Sequence, residues 1–159
     1  MKPNTTLRPA VNATDERIAL ESLDRIRSFV AAWDQGAIVV SPDYDQPDPA
    51  EHHYSPMFFL RLLHMMTCYG LTMPVMERHR TAEGYLRTPE QHLLAQTSLK
   101  AIRGLVENYA DGTVHVGLDI RKSDADQKRY TPRMYLRVLL DEECEGLGMR
   151  PPSPRSIAE

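Results

Sequence analysis

Apolar positions along the chain fall into helical stripes, one nearly unbroken greasy run and one strictly alternating segment. Leu23, Ile26, Val30 and Trp33 recur at helical spacing, with Arg17, Glu21 and Arg25 as opposite-charge neighbours outside. That pattern predicts a helix from Thr14, capped by its hydroxyl and leaving through Gly36. Ala37 to Val40 predicts a short buried strand. Residues 41–54, SPDYDQPDPAEHHY, hold three prolines and four acids with no Lys or Arg, which predicts a solvated loop.

A hydroxyl followed by proline then occurs three times, at Ser55-Pro56, Thr88-Pro89 and Thr131-Pro132. The hydroxyl accepts an orphan amide at a helix start, and proline at the first helical position has no amide to orphan. Thr88 with Gln91 completes a capping box. The greasy run Pro56 to Tyr69 is thus a capped helix that stops at Gly70, with a polar seam of Arg61, His64 and Cys68. It is 14 residues, about 21 Å as a helix, and so too short to span a bilayer core of about 30 Å.

Residues 71–87 read either as a short helix from Pro74 or as a turn, broken by Gly84. From Pro89 to about Ala110, Leu99, Ile102, Val106 and Tyr109 form an apolar stripe flanked by Leu94, Ala101 and Leu105; His92, Gln96, Lys100, Arg103 and Glu107 form the wet one. Thr113 to Ile120, TVHVGLDI, alternates and predicts a strand with Val114, Val116, Leu118 and Ile120 buried. Residues 121–130 read as a charged loop. The segment from Pro132 to about 145 fits two templates. Arg133, Arg137 and Asp141 repeat every four residues, whereas Met134, Leu136, Val138 and Leu140 alternate; the Thr-Pro start favours helix over a hairpin strand. No repeated segment is read along the chain. The expected architecture is a mainly helical α+β single domain over 14–145, with short strands near 37–40 and 113–120, between flexible tails at 1–13 and 146–159.

Composition narrows the function classes. At 159 residues, with 42% hydrophobic and 26% charged, the chain has length and apolar content for one packed core. A net charge of -3 argues against a protein coated in basic surface. Cys68 and Cys144 are too few for a disulfide framework and the start lacks an apolar signal core, so a cytoplasmic protein with reduced thiols is expected.

Motifs of catalysis are sparse: there is no Gly-rich phosphate loop, no G-x-S-x-G, no H-E-x-x-H and no paired C-x-x-C. His64 and Cys68, four apart on one helix, are candidates for a metal completed by His52 or His53, or for a base and nucleophile. The competing reading is a packed polar seam, and no cofactor is expected. Met57, Met65, Met66, Met73 and Met76 crowd a short stretch, and methionine suits surfaces that mould to a partner. The primary expectation is therefore a non-enzymatic bacterial regulatory protein, docking a protein partner or a second copy as a homodimer. Met57, Arg61, Met65, Met73 and Met76 would contribute, with the acidic loop residues Asp43, Asp45 and Asp48. The alternative is a winged-helix DNA-binding regulator. There TVHVGLDI pairs with MYLRVLL, and Lys100, Arg103, Arg121, Lys122, Lys128, Arg129, Arg133 and Arg137 contact phosphates. A metal- or thiol-dependent enzyme is third.

Overall fold

The greasy run forms a helix that packs against each of the other three helices. The computed structural model describes residues 13–44, 48, 50–76 and 89–150. In it, α2 (Pro56–Gly70) starts at Ser55, whose side chain accepts from Phe58 N, with Pro56 in its first turn. Before it come α1 (Ala13–Asp34), β1 (Val39–Val40) and β2 (His53–Tyr54); after it come α3 (Pro89–Ala110), β3 (His115–Val116), β4 (Arg129–Tyr130) and α4 (Pro132–Leu147). Four helices and two parallel two-residue strand pairs, β1–β2 and β3–β4, make a mainly helical α+β single domain. No helix among the described residues is long and apolar enough to cross a membrane. The expected tail at 1–12, Asp45, the cap at Thr88 and residues 151–159 lie outside the described residues.

The contested last segment is a helix: Thr131 accepts from Met134 N, Pro132 opens α4, and Gly148 closes it at φ 71°. Its final turn and Met149 pack on the core, beyond the expected boundary at 145. Because MYLRVLL is helical, it does not pair with TVHVGLDI, and the wing required by the DNA-binding reading does not form. Only His115–Val116 of the alternating segment is strand. The chain turns from Gly117 to Ile120, with Ile120 N donating to Gly117 O at 3.2 Å, and this leaves Leu118 exposed. Two further expectations change. Thr14 lies inside the first turn of α1 rather than before it. Gly70 is helical, and the left-handed exit falls to Thr72 at φ 53°.

The chain is an internal duplication, contrary to the reading of the sequence. Pro56 and Pro132 stand 76 residues apart (132 − 56), and the same offset maps α1 onto α3, β1 onto β3, β2 onto β4 and α2 onto α4. Every described residue with positive φ belongs to a pair at that offset: Gly36 with Gly112, His52 with Lys128, Thr72 with Gly148. The loop backbone repeats as well. Asp48 N donates to His53 O at 2.8 Å, as Asp124 N does to Arg129 O at 2.7 Å. Trp33 meets Phe59 at 5.9 Å between ring centroids, and their equivalents Tyr109 and Tyr135 meet at 6.2 Å.

The halves pack about a pseudo-two-fold axis. A Cβ on Gly70 would lie 2.5 Å from the Leu136 side chain, and one on Gly146 would lie 2.6 Å from that of Leu60, the position equivalent to Leu136. Each helix thus sets its C-terminal glycine against the other's N-terminal leucine, so α2 and α4 run antiparallel. The loops that precede them fall at opposite ends of this pair.

Candidate functional site

Identity between the halves marks architecture, so a site is sought where the halves differ. The core of the α2–α4 contact is one such place. His64 is equivalent to Leu140, and Thr67 to Glu143, so the axis brings together an imidazole and a carboxylate that have no symmetry mates. His64 Nδ1 lies 3.2 Å from Glu143 Oε1, and Thr67 donates its hydroxyl to Glu143 Oε2 at 2.6 Å. His64 Nε2 lies 3.6 Å from Cys68 Sγ. All four side chains are buried.

Burial lowers the affinity of His64 for its proton, but hydrogen bonds to Cys68 and Glu143 outweigh this and lift its pKa to about 9. Burial raises Glu143, against hydrogen bonds from His64 and Thr67 that pull it down. Both groups therefore hold protons more tightly than usual. Donation by Thr67 favours a carboxylate on Glu143 with the proton on His64. Burial, followed by the charge of Glu143, pushes the Cys144 thiol up to about 12, so it stays a thiol.

Cys68, His64 and Glu143 stand in the order nucleophile, base, orienting acid. The sulfur, however, is fully buried. The adjoining cleft, lined by Arg61, His64, Met65, Val75, Met76, Leu147 and Met149, holds about 200 Å³ including space open to solvent. Ligand pockets run to roughly 300–1,000 Å³. His64 reaches the lining of this cleft, whereas Cys68 is not among its lining residues. No group of three or more His, Cys, Asp or Glu among the described residues can hold a metal ion. His52 and His53 stand before the start of α2, where His53 stacks on Tyr44 at 4.4 Å, whereas His64 is near the helix middle.

The second difference between the halves is on the surface. On α4 the exposed positions are Asp141 and Glu145, and the mostly buried Arg137 pairs through Nε with Asp141 at 3.2 Å. The equivalent positions on α2 are Arg61, Met65 and Tyr69, with Met65 47% and Tyr69 64% exposed. Val75, also exposed, stands beside them at the cleft. Of the expected docking residues, Met65 is on this face and Arg61 is at its half-buried edge. Met57 is in the core, and Met66, Met73 and Met76 pack against it from partly buried positions. Asp43 and Asp48 are exposed in the loop that leads into α2. Met65 and Tyr69 lie 9 and 13 residues beyond Pro56 (65 − 56 and 69 − 56), roughly 14 and 20 Å along the helix. The apolar face and the acidic loop are therefore separate surfaces.

The expected basic patch is dispersed. Arg133 is buried, its Nη1 donating to Leu71 O at 3.3 Å. Arg103 pairs with Asp34 and Glu107 and stacks on Trp33, and Arg137 is paired within α4. His92, placed on the wet stripe of α3, is buried instead. Lys100, Arg121, Lys122, Lys128 and Arg129 are exposed. Glu143, Thr67 and Tyr69 were not singled out from the sequence. The signal that would have found them is their misfit with positions 67, 143 and 145 once the halves are aligned. No family model, curated protein or solved structure matches this chain.

Proposed function

We propose that this chain is a non-enzymatic regulatory protein of the cytoplasm that docks a protein partner on the outward face of α2, centred on Met65 and Tyr69. One observation carries the reading: two halves of the same fold present Asp141 and Glu145 on one helix and Met65 and Tyr69 at the same positions of the other. Solubility and helix geometry are met by the charged pair, so the apolar pair needs a different cause. Aromatic residues, methionine and arginine are the types enriched at the centres of protein interfaces. Two buried, unpaired cysteines accord with a reducing compartment. The buried His64–Glu143 pair joins the halves and serves the scaffold.

Giving α2 the residues of α4 tests this directly. In gently lysed cells at native expression the wild-type chain should elute in a discrete species larger than its own 18.1 kDa. Met65→Asp/Tyr69→Glu should elute as the free chain with unchanged helicity. Elution of wild type at the free-chain volume, or a complex that the double substitution leaves intact, contradicts the reading.

A further inference from the structure

We infer that the chain carries a second docking surface split between its two ends, and that the ligand of each end is the opposite end of another copy. The two interhelical loops repeat the same backbone contacts at their described residues. Asp48 and Asp124 make the same paired contacts to His53 and Arg129, and His52 and Lys128 occupy the same left-handed conformation at φ 59° and 55°. Their charges are opposite. Residues 41–54 hold four acids and no Lys or Arg, whereas 121–130 hold four Lys or Arg against two acids.

These charges are also outside close ion pairs, with Arg129 acting on Asp119 only at longer range. Arg121, Lys122, Lys128 and Arg129 are exposed and make no ion pair among the described residues, and the same holds for Asp43, Asp48 and Glu51. At the basic end, Asp124 and Asp126 leave residues 121–130 a net charge of +2 (4 − 2). Asp119 pairs with His115 at 3.2 Å, and Asp124 accepts from Asp126 N at 3.1 Å. The antiparallel setting of α2 and α4 then separates the loops by the length of α2, 15 residues or roughly 22 Å. A chain with an acidic loop at one end and a basic loop at the other docks head to tail, a heterologous contact that repeats from copy to copy. Opposite potentials steer such ends together and are screened by salt.

Sedimentation velocity of the purified full chain is the test. At about 20 mM salt the mean mass should rise with concentration above 18.1 kDa, and at about 300 mM the association should weaken on the order of tenfold. Asp43→Lys/Asp48→Lys/Glu51→Lys makes both ends basic, and Arg121→Glu/Lys122→Glu/Arg129→Glu makes both acidic. Each variant alone should stay monomeric at low salt, and an equimolar mixture should associate again. Three results overturn the inference: a wild-type chain that is monomeric at low salt, association that persists in both variants, or a mixture that fails to recover it. A labelled DNA duplex provides the remaining arm. Binding of duplex by a wild-type chain that does not self-associate, lost in the Arg121 variant, would assign the basic loop to phosphate instead.

Discussion

Replacing Glu143 by Leu is expected to lower the unfolding free energy by about 3 kcal/mol or more, among the largest effects available in this chain. The substitution removes the carboxylate beside His64 Nδ1 and Thr67 Oγ1; the hydroxyl can turn to Leu63 O, 3.1 Å away, but the imidazole loses its charged partner in the core. The imidazole must then lose its proton or hold it unpaired, and either state is costly in a dry contact. The duplication supplies the matching rescue. His64→Leu/Glu143→Thr gives each half the residues already present in the other, since Leu140 occupies the position of His64 and Thr67 that of Glu143. A threonine at 143 would bond the carbonyl four residues back, as Thr67 Oγ1 does to Leu63 O at 3.1 Å. Removing both members of a buried pair together is often neutral, so the double variant should return to within about 1 kcal/mol of wild type. Urea denaturation followed by circular dichroism measures both. A Glu143→Leu cost below about 1 kcal/mol, or a double variant as unstable as the single, would show that the pair does not hold the halves together in this way.

Gly146→Ala is the second large effect, expected to cost about 2 kcal/mol net, although alanine is the better helix former by about 1 kcal/mol. The new methyl would lie 2.5 Å from Ser98 Cβ and 2.6 Å from Leu60 Cδ2, and would press on Ser98 Oγ. Ser98 cannot swing aside without losing its bond to Glu142 O at 2.8 Å. At the equivalent Gly70 one contact can relax: Ser22 Oγ is buried with no hydrogen-bond partner among the described residues, so turning it breaks no bond, while the approaches to Ser22 Cβ and Leu136 Cδ1 remain. Gly70→Ala should therefore cost less than Gly146→Ala. A Gly146→Ala variant that melts above wild type would mean that the α3–α4 contact is looser than these distances imply.

The helices were legible because each carries its own start signal or stripe. Ser55-Pro56 and Thr131-Pro132 cap α2 and α4 as expected, and the Thr-Pro start correctly outweighed the alternation of Met134, Leu136, Val138 and Leu140. Strand length was not legible. Alternation from Thr113 to Ile120 continues through a turn at Gly117, where period two no longer reports burial. The duplication was present in plain sequence, in Pro56/Pro132, Leu60/Leu136, Arg61/Arg137, Cys68/Cys144 and Gly70/Gly146. It escaped a motif-by-motif reading because its identities are scattered over core positions at a spacing far longer than any local motif. Read locally, Ser55-Pro56 and Thr131-Pro132 are only a repeated capping device. The buried cluster could not be read locally at all. Glu143 sits in the acidic string DEECEG, and its partners His64 and Thr67 lie in the other half. The unlike outward faces of α2 and α4 stand out only with Met65 and Tyr69 set beside Asp141 and Glu145.

That comparison also defines the most direct test of the central claim. A photo-crosslinking amino acid placed at position 65, and in a separate chain at the equivalent position 141, samples the two outward helix faces of one fold in living cells. A discrete protein adduct at 65 that is absent at 141, and that Tyr69→Glu abolishes, is the predicted result. Equal labelling at both positions, or none at 65, would contradict a docking role for the outward face of α2.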